Sequence, residues 1–212
     1  MVLATVAALL ASCGSPPERP LPSTQSASTV NPANIIRVRA ALPEGYEVGQ
    51  LDAPVSAAAL WGFGSGWTAD PPQCASLTDP APADRAARGL SASGTGGTLF
   101  VVAATVPTGV PAAELLGQCS RWTMVFGHTM AEVTSTEGPV IAGAQTVAWQ
   151  AVARTIVEAG SETTADARAA VAYFDRHIAL VTLVTDPGSP HPPLDSGVVA
   201  GLLATAVAAL RG

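Results

Sequence analysis

Three cysteines, three histidines and a glycine-rich stretch ringed by aromatics are the residues of this chain whose types lend themselves to chemistry. Cys74 and Cys119 are read as a disulfide, because a cysteine pair in an exported domain forms one more often than a metal site or a catalytic thiol. Two reduced, buried thiols are the alternative. Zinc is disfavoured, since there is no CxxC and the histidines are scattered. His128 falls in an alternating run, Trp122 to Thr134, that puts Met124, Phe126, His128 and Met130 on one strand face. A hydrolase reading would pair His128 with Asp175 or Glu132 and a serine, or would use His177, which follows Asp175-Arg176. With so many serines, such a triad would be selection rather than signal, and no catalytic residue is assigned. His191 sits among Pro190, Pro192 and Pro193 and is read as a loop residue. Glu158, Glu162 and Asp166 stand four apart but are interrupted by Gly160, and are read as a solvated face.

The stretch Gly62-Phe63-Gly64-Ser65-Gly66 matches no phosphate or nucleophile motif. A P-loop needs a lysine, and the chain has none. Trp67 breaks the GxGxxG spacing, and Phe63 breaks that of the nucleophile elbow. Two readings remain. The loop is a tight turn held by packed rings, or a backbone wall beside a cleft lined by Trp61, Phe63 and Trp67. These three rings are the assigned ligand-binding residues, suited to an apolar or amphiphilic molecule.

The elements that must position these residues begin with the address of the chain. Val2 to Ala11 is an apolar run of signal-peptide core size, too short to span a bilayer. Leu10-Ala11-Ser12-Cys13 resembles the lipobox of bacterial lipoproteins, which implies cleavage before Cys13 and lipid on that residue. The basic start of a signal peptide is missing. Gly14 to Val30 is rich in Pro and Ser and reads as a tether. The organisation is therefore residues 1–12 as signal peptide, 13–30 as lipidated cysteine and tether, and 31–212 as one folded domain.

Within 31–212, Asn31-Pro32 reads as a helix start, with Ile35, Val38 and Leu42 on one side and Pro43 as the stop. Tyr46–Leu51 reads as a strand and Ser56–Trp61 as a short helix. Asp70-Pro71-Pro72 is predicted to cap a short helix carrying Cys74. Asp79–Gly97 reads as a polar connection, Thr98–Val106 as a strand and Pro111–Cys119 as a helix. Thr146–Val157 is another strand, and Ala170–Thr185 is one long strand or a helix running into one. Asp195 or Ser196 caps a final helix to Leu210. Helices at both ends with strands between predict an α+β fold, with a mostly antiparallel central sheet covered by helices on one face.

Composition narrows the function classes. Of 212 residues, 48% are hydrophobic and 12% charged, and the net charge is -6. The apolar share supports a core, and the acidic balance argues against nucleic acid as a partner.

The block from Asn31 to Pro80, together with FVVAATVP, LLGQCSRWTM and the capped final helix, resembles a mycobacterial and actinobacterial family of uncharacterised exported lipoproteins. That family looks like a relative of the extracellular sensor domain of a mycobacterial serine/threonine kinase. The resemblance implies a sensor-like α+β fold with a central antiparallel sheet, a cleft and disulfide bonding. Trp67, Cys74 and Cys119 match recurring positions. The resemblance implies two disulfides in the sensor domain where this chain can form one, and the family supplies no catalytic residue.

The expected function is a non-enzymatic, lipid-anchored domain on the outer side of the cytoplasmic membrane. It would bind a small apolar or envelope-derived ligand, or an envelope protein, without a cofactor. An envelope hydrolase and a structural envelope protein without a pocket are the alternatives.

Overall fold

The computed structural model describes residues 30–51, 56–82, 84, 86–107, 109–157 and 160–212. The signal segment, Cys13 and the tether up to residue 29 lie outside the described residues. A 3-10 helix, Pro32–Ala41, opens the fold, with the Asn31 side chain accepting from the Ala33 amide and Ile35 and Val38 buried. The strands are β1 Glu47–Leu51, β2 Thr68–Asp70, β3 Arg88–Gly94, β4 Gly97–Thr105, β5 Arg121–Phe126, β6 Thr129–Thr136, β7 Gln145–Ile156, β8 Glu162–Phe174 and β9 His177–Val184. The helices are α1 Ala57–Leu60, α2 Ala75–Thr78, α3 Ala113–Gln118 and α4 Ser196–Leu210.

All nine strands join one sheet, in the order β1-β3-β4-β9-β8-β7-β6-β5-β2, and every pairing is antiparallel. The expected α+β class with a central antiparallel sheet is the observed one. The central strands are apolar on both sides, so the side-chain period of two builds two cores. On one face, Ala167, Ala169, Val171 and Tyr173 of β8 meet Val147 and Trp149 of β7 and the short helices. On the other, Ala170, Ala172 and Phe174 of β8 and Val181 and Leu183 of β9 pack under α4 and the N-terminal 3-10 helix. Helices therefore lie on both faces, which corrects the expectation of one covered face. Strands apolar on both sides must be covered on both sides.

Four local readings also change. Asp79–Gly97 holds β3, a seven-residue strand whose Leu90 and Ala92 are buried despite its Gly and Ser content. Ala170–Thr185 spans parts of two strands, β8 and β9, joined at Asp175-Arg176. Both turn residues have positive φ, 45° and 60°, the geometry a two-residue hairpin requires. No glycine marks that turn, which is why the sequence reads through it. Trp122–Thr134 likewise bends at Gly127-His128 into a β5–β6 hairpin. His128 thus lies in the turn rather than on a strand face. Met124 is fully buried while Met130 is 47% exposed, so these two point to opposite sides of the sheet. Asp70 ends β2 and gives the following helix no cap; Pro71 holds that position without a side-chain hydrogen bond. Asp195 does cap α4, its carboxylate accepting from the Gly197 amide at 2.6 Å.

Candidate functional site

Two rings of the aromatic loop belong to the core, while Gly62, Ser65 and Gly66 are exposed. Trp61 is 7% and Phe63 2% exposed, and Trp67 is half-buried against the same cluster. Trp61 Nε1–H donates to Thr182 Oγ1 at 2.9 Å, and Thr182 in turn donates to the Arg168 carbonyl at 2.9 Å. Gly64 lies directly under Phe126, where a Cβ would overlap the ring. Close packing against that ring therefore accounts for a glycine at 64. None of the four cavities of this structure described below is lined by Trp61, Phe63 or Trp67. Of the rings expected to line a cleft, Trp61 and Phe63 are packed in the core, and Trp67 lies half-buried against it. The physical reason is that α1 lies across β9, which carries these rings onto the sheet.

Cys74 and Cys119 form a disulfide, with Cα atoms 5.6 Å apart. Both cysteines are buried, and the bond ties the turn before α2 to the end of α3. The Gln73–Gln118 side-chain hydrogen bond runs alongside it. His128 is exposed in its turn, and the His177 ring nitrogen Nδ1 meets the Asp175 carbonyl at 2.7 Å. Neither histidine has a hydrogen bond to a serine hydroxyl or a carboxylate among the described residues. No group of three or more His, Cys, Asp or Glu stands close enough to hold a metal among them either. Burial pushes the Tyr173 phenol and the Asp79 carboxyl above their ordinary pKa ranges. The Tyr46 phenol is raised by burial and by the nearby Asp186 charge. None of these groups is paired in a catalytic geometry.

The cavities lie on the α4 face of the sheet. The largest of the four described, about 370 Å³, has the β7–β8 cross-strand pairs Ala148–Ala170 and Gln150–Arg168 as its floor. Val199 and Ala200 of α4 form one wall and Thr136, Glu137 and Pro139 the other. Trp149 and Ala169 also line it, although their side chains belong to the opposite core, so they contribute main chain. A second cavity of about 250 Å³ shares Gln150 and Arg168 with the first and continues past Asp166 and Leu183 to Pro193. A third, about 190 Å³, carries on from Asp166 and Thr185 to His191. Together they form a groove along β8. The fourth, about 220 Å³, is separate, between the N-terminal 3-10 helix and the β1–β3 edge.

The groove exists because small side chains face each other where α4 begins. Alanines at 148 and 170 leave the first turns of the helix without large floor residues to meet. The opposite wall is fixed in place. Arg211, at the end of α4, donates to the Ala142 and Gly143 carbonyls at 2.7 and 2.6 Å and lies over the Phe174 ring. Thr146 Oγ1 donates to the Pro139 carbonyl at 2.7 Å. A wall held by such bonds is preformed, which lowers the ordering cost of binding.

Arg168 stands where the two larger cavities meet. It is half-buried, and its Nη1 reaches the Leu194 carbonyl at 3.5 Å, a weak contact. The ion pair found among the described residues is Arg154–Glu162 at 3.8 Å, between exposed side chains near the end of the β7–β8 ladder. Sequence reasoning missed the groove and Arg168. The available signal was the pairing of small residues with one arginine along β8, but it becomes visible only once register and the position of α4 are known.

One antiparallel nine-stranded sheet with helices on both faces and a helix-walled groove on one defines an α+β domain with a preformed cleft. The chain belongs to the family described as Domain of unknown function (DUF5642), which matches residues 31–211. An X-ray structure of an uncharacterised Mycobacterium smegmatis protein is similar in fold, with a TM-score of 0.64 and 22% sequence identity. The match covers 87% of this chain and 98% of that one. No curated protein matches the sequence. No helix among the described residues is long and apolar enough to cross a membrane.

Proposed function

We propose that this chain is a non-enzymatic cell-envelope domain that binds a small envelope-derived molecule in the groove along β8. In this reading, lipid on Cys13 holds it to the outer side of the cytoplasmic membrane. The observation that carries the binding reading is the preformed groove between α4, the β6–β7 connection and the alanine floor of β7–β8. Its volume lies in the range of roughly 300–1,000 Å³ typical of small-molecule sites. The lipobox-like Leu10-Ala11-Ser12-Cys13 supports the anchor, since diacyl chains give stable attachment where a single chain does not. An envelope protein as an additional partner is compatible with this placement.

Two measurements test the reading. Protein purified from its native membrane in mild detergent is extracted with organic solvent and the extract examined by mass spectrometry. A stoichiometric small molecule is expected, displaced when the groove is filled by Ala200→Trp. An extract unchanged by that substitution contradicts the groove as the binding element. Separately, Cys13→Ala is expected to move the protein from the membrane fraction to the aqueous one. Unchanged detergent-dependent partitioning contradicts the anchor.

A further inference from the structure

We propose that the groove takes a single-chain anionic amphiphile, with Arg168 holding its singly charged head and the hollow beneath α4 seating its chain. This rests on the groove being the binding element and goes on to name the ligand class.

The chain seat follows from the walls of the larger cavity. Ala148, Ala170 and Val199 are buried, and Ala200 is half-buried beside them. None of these four side chains offers a hydrogen bond, so along this part of the lining a hydroxyl-rich ligand such as a sugar would lose water contacts without replacement; the polar groups of Thr136, Glu137, Gln150 and Arg168 line the rest of the cavity. An alkyl chain loses nothing and gains apolar burial.

The head position follows from Arg168. A guanidinium has five N–H donors in a planar fork. In this groove a single 3.5 Å contact to the Leu194 carbonyl engages it, and no carboxylate among the described residues comes within ion-pair distance. A half-buried cation with its donors largely unspent, at the junction of two cavities, is built to receive an oxyanion. Burial matters to the sign of the site. Glu137 on the rim and Asp166 two residues along β8 are both exposed, so water screens their charge, whereas Arg168 is sheltered by the groove walls. The two acids do limit how much negative charge the head can carry, which favours a monoanion. A fatty carboxylate and a lysophospholipid phosphodiester share that chemistry.

The test uses the folded protein and three short-chain probes by titration calorimetry: octanoate, a short-chain lysophosphatidylglycerol and neutral octanol. The wild type is expected to bind at least one of the two anions roughly tenfold or more tightly than octanol. Whichever anion binds tighter identifies the source of the head group. Arg168→Gln should erase the preference for the anion while leaving octanol binding unchanged, and Arg168→Lys should restore part of it. Ala200→Trp should remove binding of all probes. Circular dichroism and thermal unfolding check that each variant is folded. The comparison of anion with octanol on the wild type stands even if Arg168→Gln does not fold. Equal affinity for octanol and the anions, or no binding of any probe, overturns the ligand class. An anion preference that survives in folded Arg168→Gln overturns the role of Arg168. In either case, loss with Ala200→Trp of octanol or of a natively bound molecule leaves the groove reading standing. Probe binding untouched by Ala200→Trp overturns both.

Discussion

Replacing Cys74 and Cys119 together by alanine is expected to lower folding stability by about 4 kcal/mol, the loop-closure entropy for a cross-link spanning 45 residues. The figure is that of the chain-entropy model. Here the geometry favours a large effect. Both sulfurs are buried, and the segment inside the loop includes β3 and β4, so the cross-link restrains two of the nine strands in the unfolded chain. Urea unfolding of the oxidised wild type, the reduced wild type and the double alanine variant measures it. The reduced protein and the variant should unfold at similar, lower urea concentrations. Their slopes with denaturant should be steeper, because an unfolded chain without the cross-link exposes more surface. Coincident midpoints for all three would mean that the bond contributes nothing to the fold.

Much of the architecture is legible from the residues, and the exceptions have physical causes. The Asn31-Pro32 start, the α4 cap at Asp195 and the β4 and β7 strands are local signals: a capping side chain, a fixed proline φ, an unbroken apolar run. Local signals can be read without knowing what packs where. The disulfide was legible too, because the export-type composition leaves only two cysteines after Cys13 to pair. The turns at Asp175-Arg176 and Gly127-His128 were not. One has no glycine although both its residues take positive φ, and the other sits inside an alternation that continues on either side. Strand β3 was hidden for the opposite reason. Its Gly and Ser content resembles a loop, and it is a strand because β1 and β4 supply partners on both edges. Tertiary context overrides propensity most readily in sheets.

The site was less legible than the fold. Large rings near glycines suit a pocket wall but are equally the signature of a tightly packed turn. The groove is made of what is small, Ala148 and Ala170, beside an arginine. Alanines are abundant in this chain, so two more carry no signal alone. Only the register that pairs 148 with 170 and 150 with 168 turns them into a floor, and only α4 turns that floor into a groove. The core and the groove are still mechanically connected. The hydrogen bonds from Trp61 to Thr182 and from Thr182 to the Arg168 carbonyl run through the sheet from the ring-packed face to the strand that carries the groove cation.

That connection makes Trp61 the informative position for separating packing from binding. Trp61→Ala is expected to cost about 3–5 kcal/mol, the usual range for emptying the space of a buried large aromatic. Trp61→Phe keeps much of the ring volume and removes the Nε1–H. It leaves Thr182 still donating to the Arg168 carbonyl, so the direct loss is one hydrogen bond, about 1 kcal/mol, plus the smaller ring's lost contacts. The two substitutions should therefore differ severalfold in their stability cost, by chemical denaturation under matched conditions. Ligand binding gives the complementary readout. If Trp61 is a core ring, Trp61→Phe binds octanoate as the wild type does, because its side chain faces the opposite side of the sheet from the groove. If the ring lines the binding cleft, as the sequence alone suggested, affinity falls while the melting temperature holds. A Trp61→Phe variant of near wild-type stability with affinity reduced tenfold would move the site back to the glycine loop. Retained affinity together with a large cost for Trp61→Ala would fix the ring as part of the core, with binding on the α4 face.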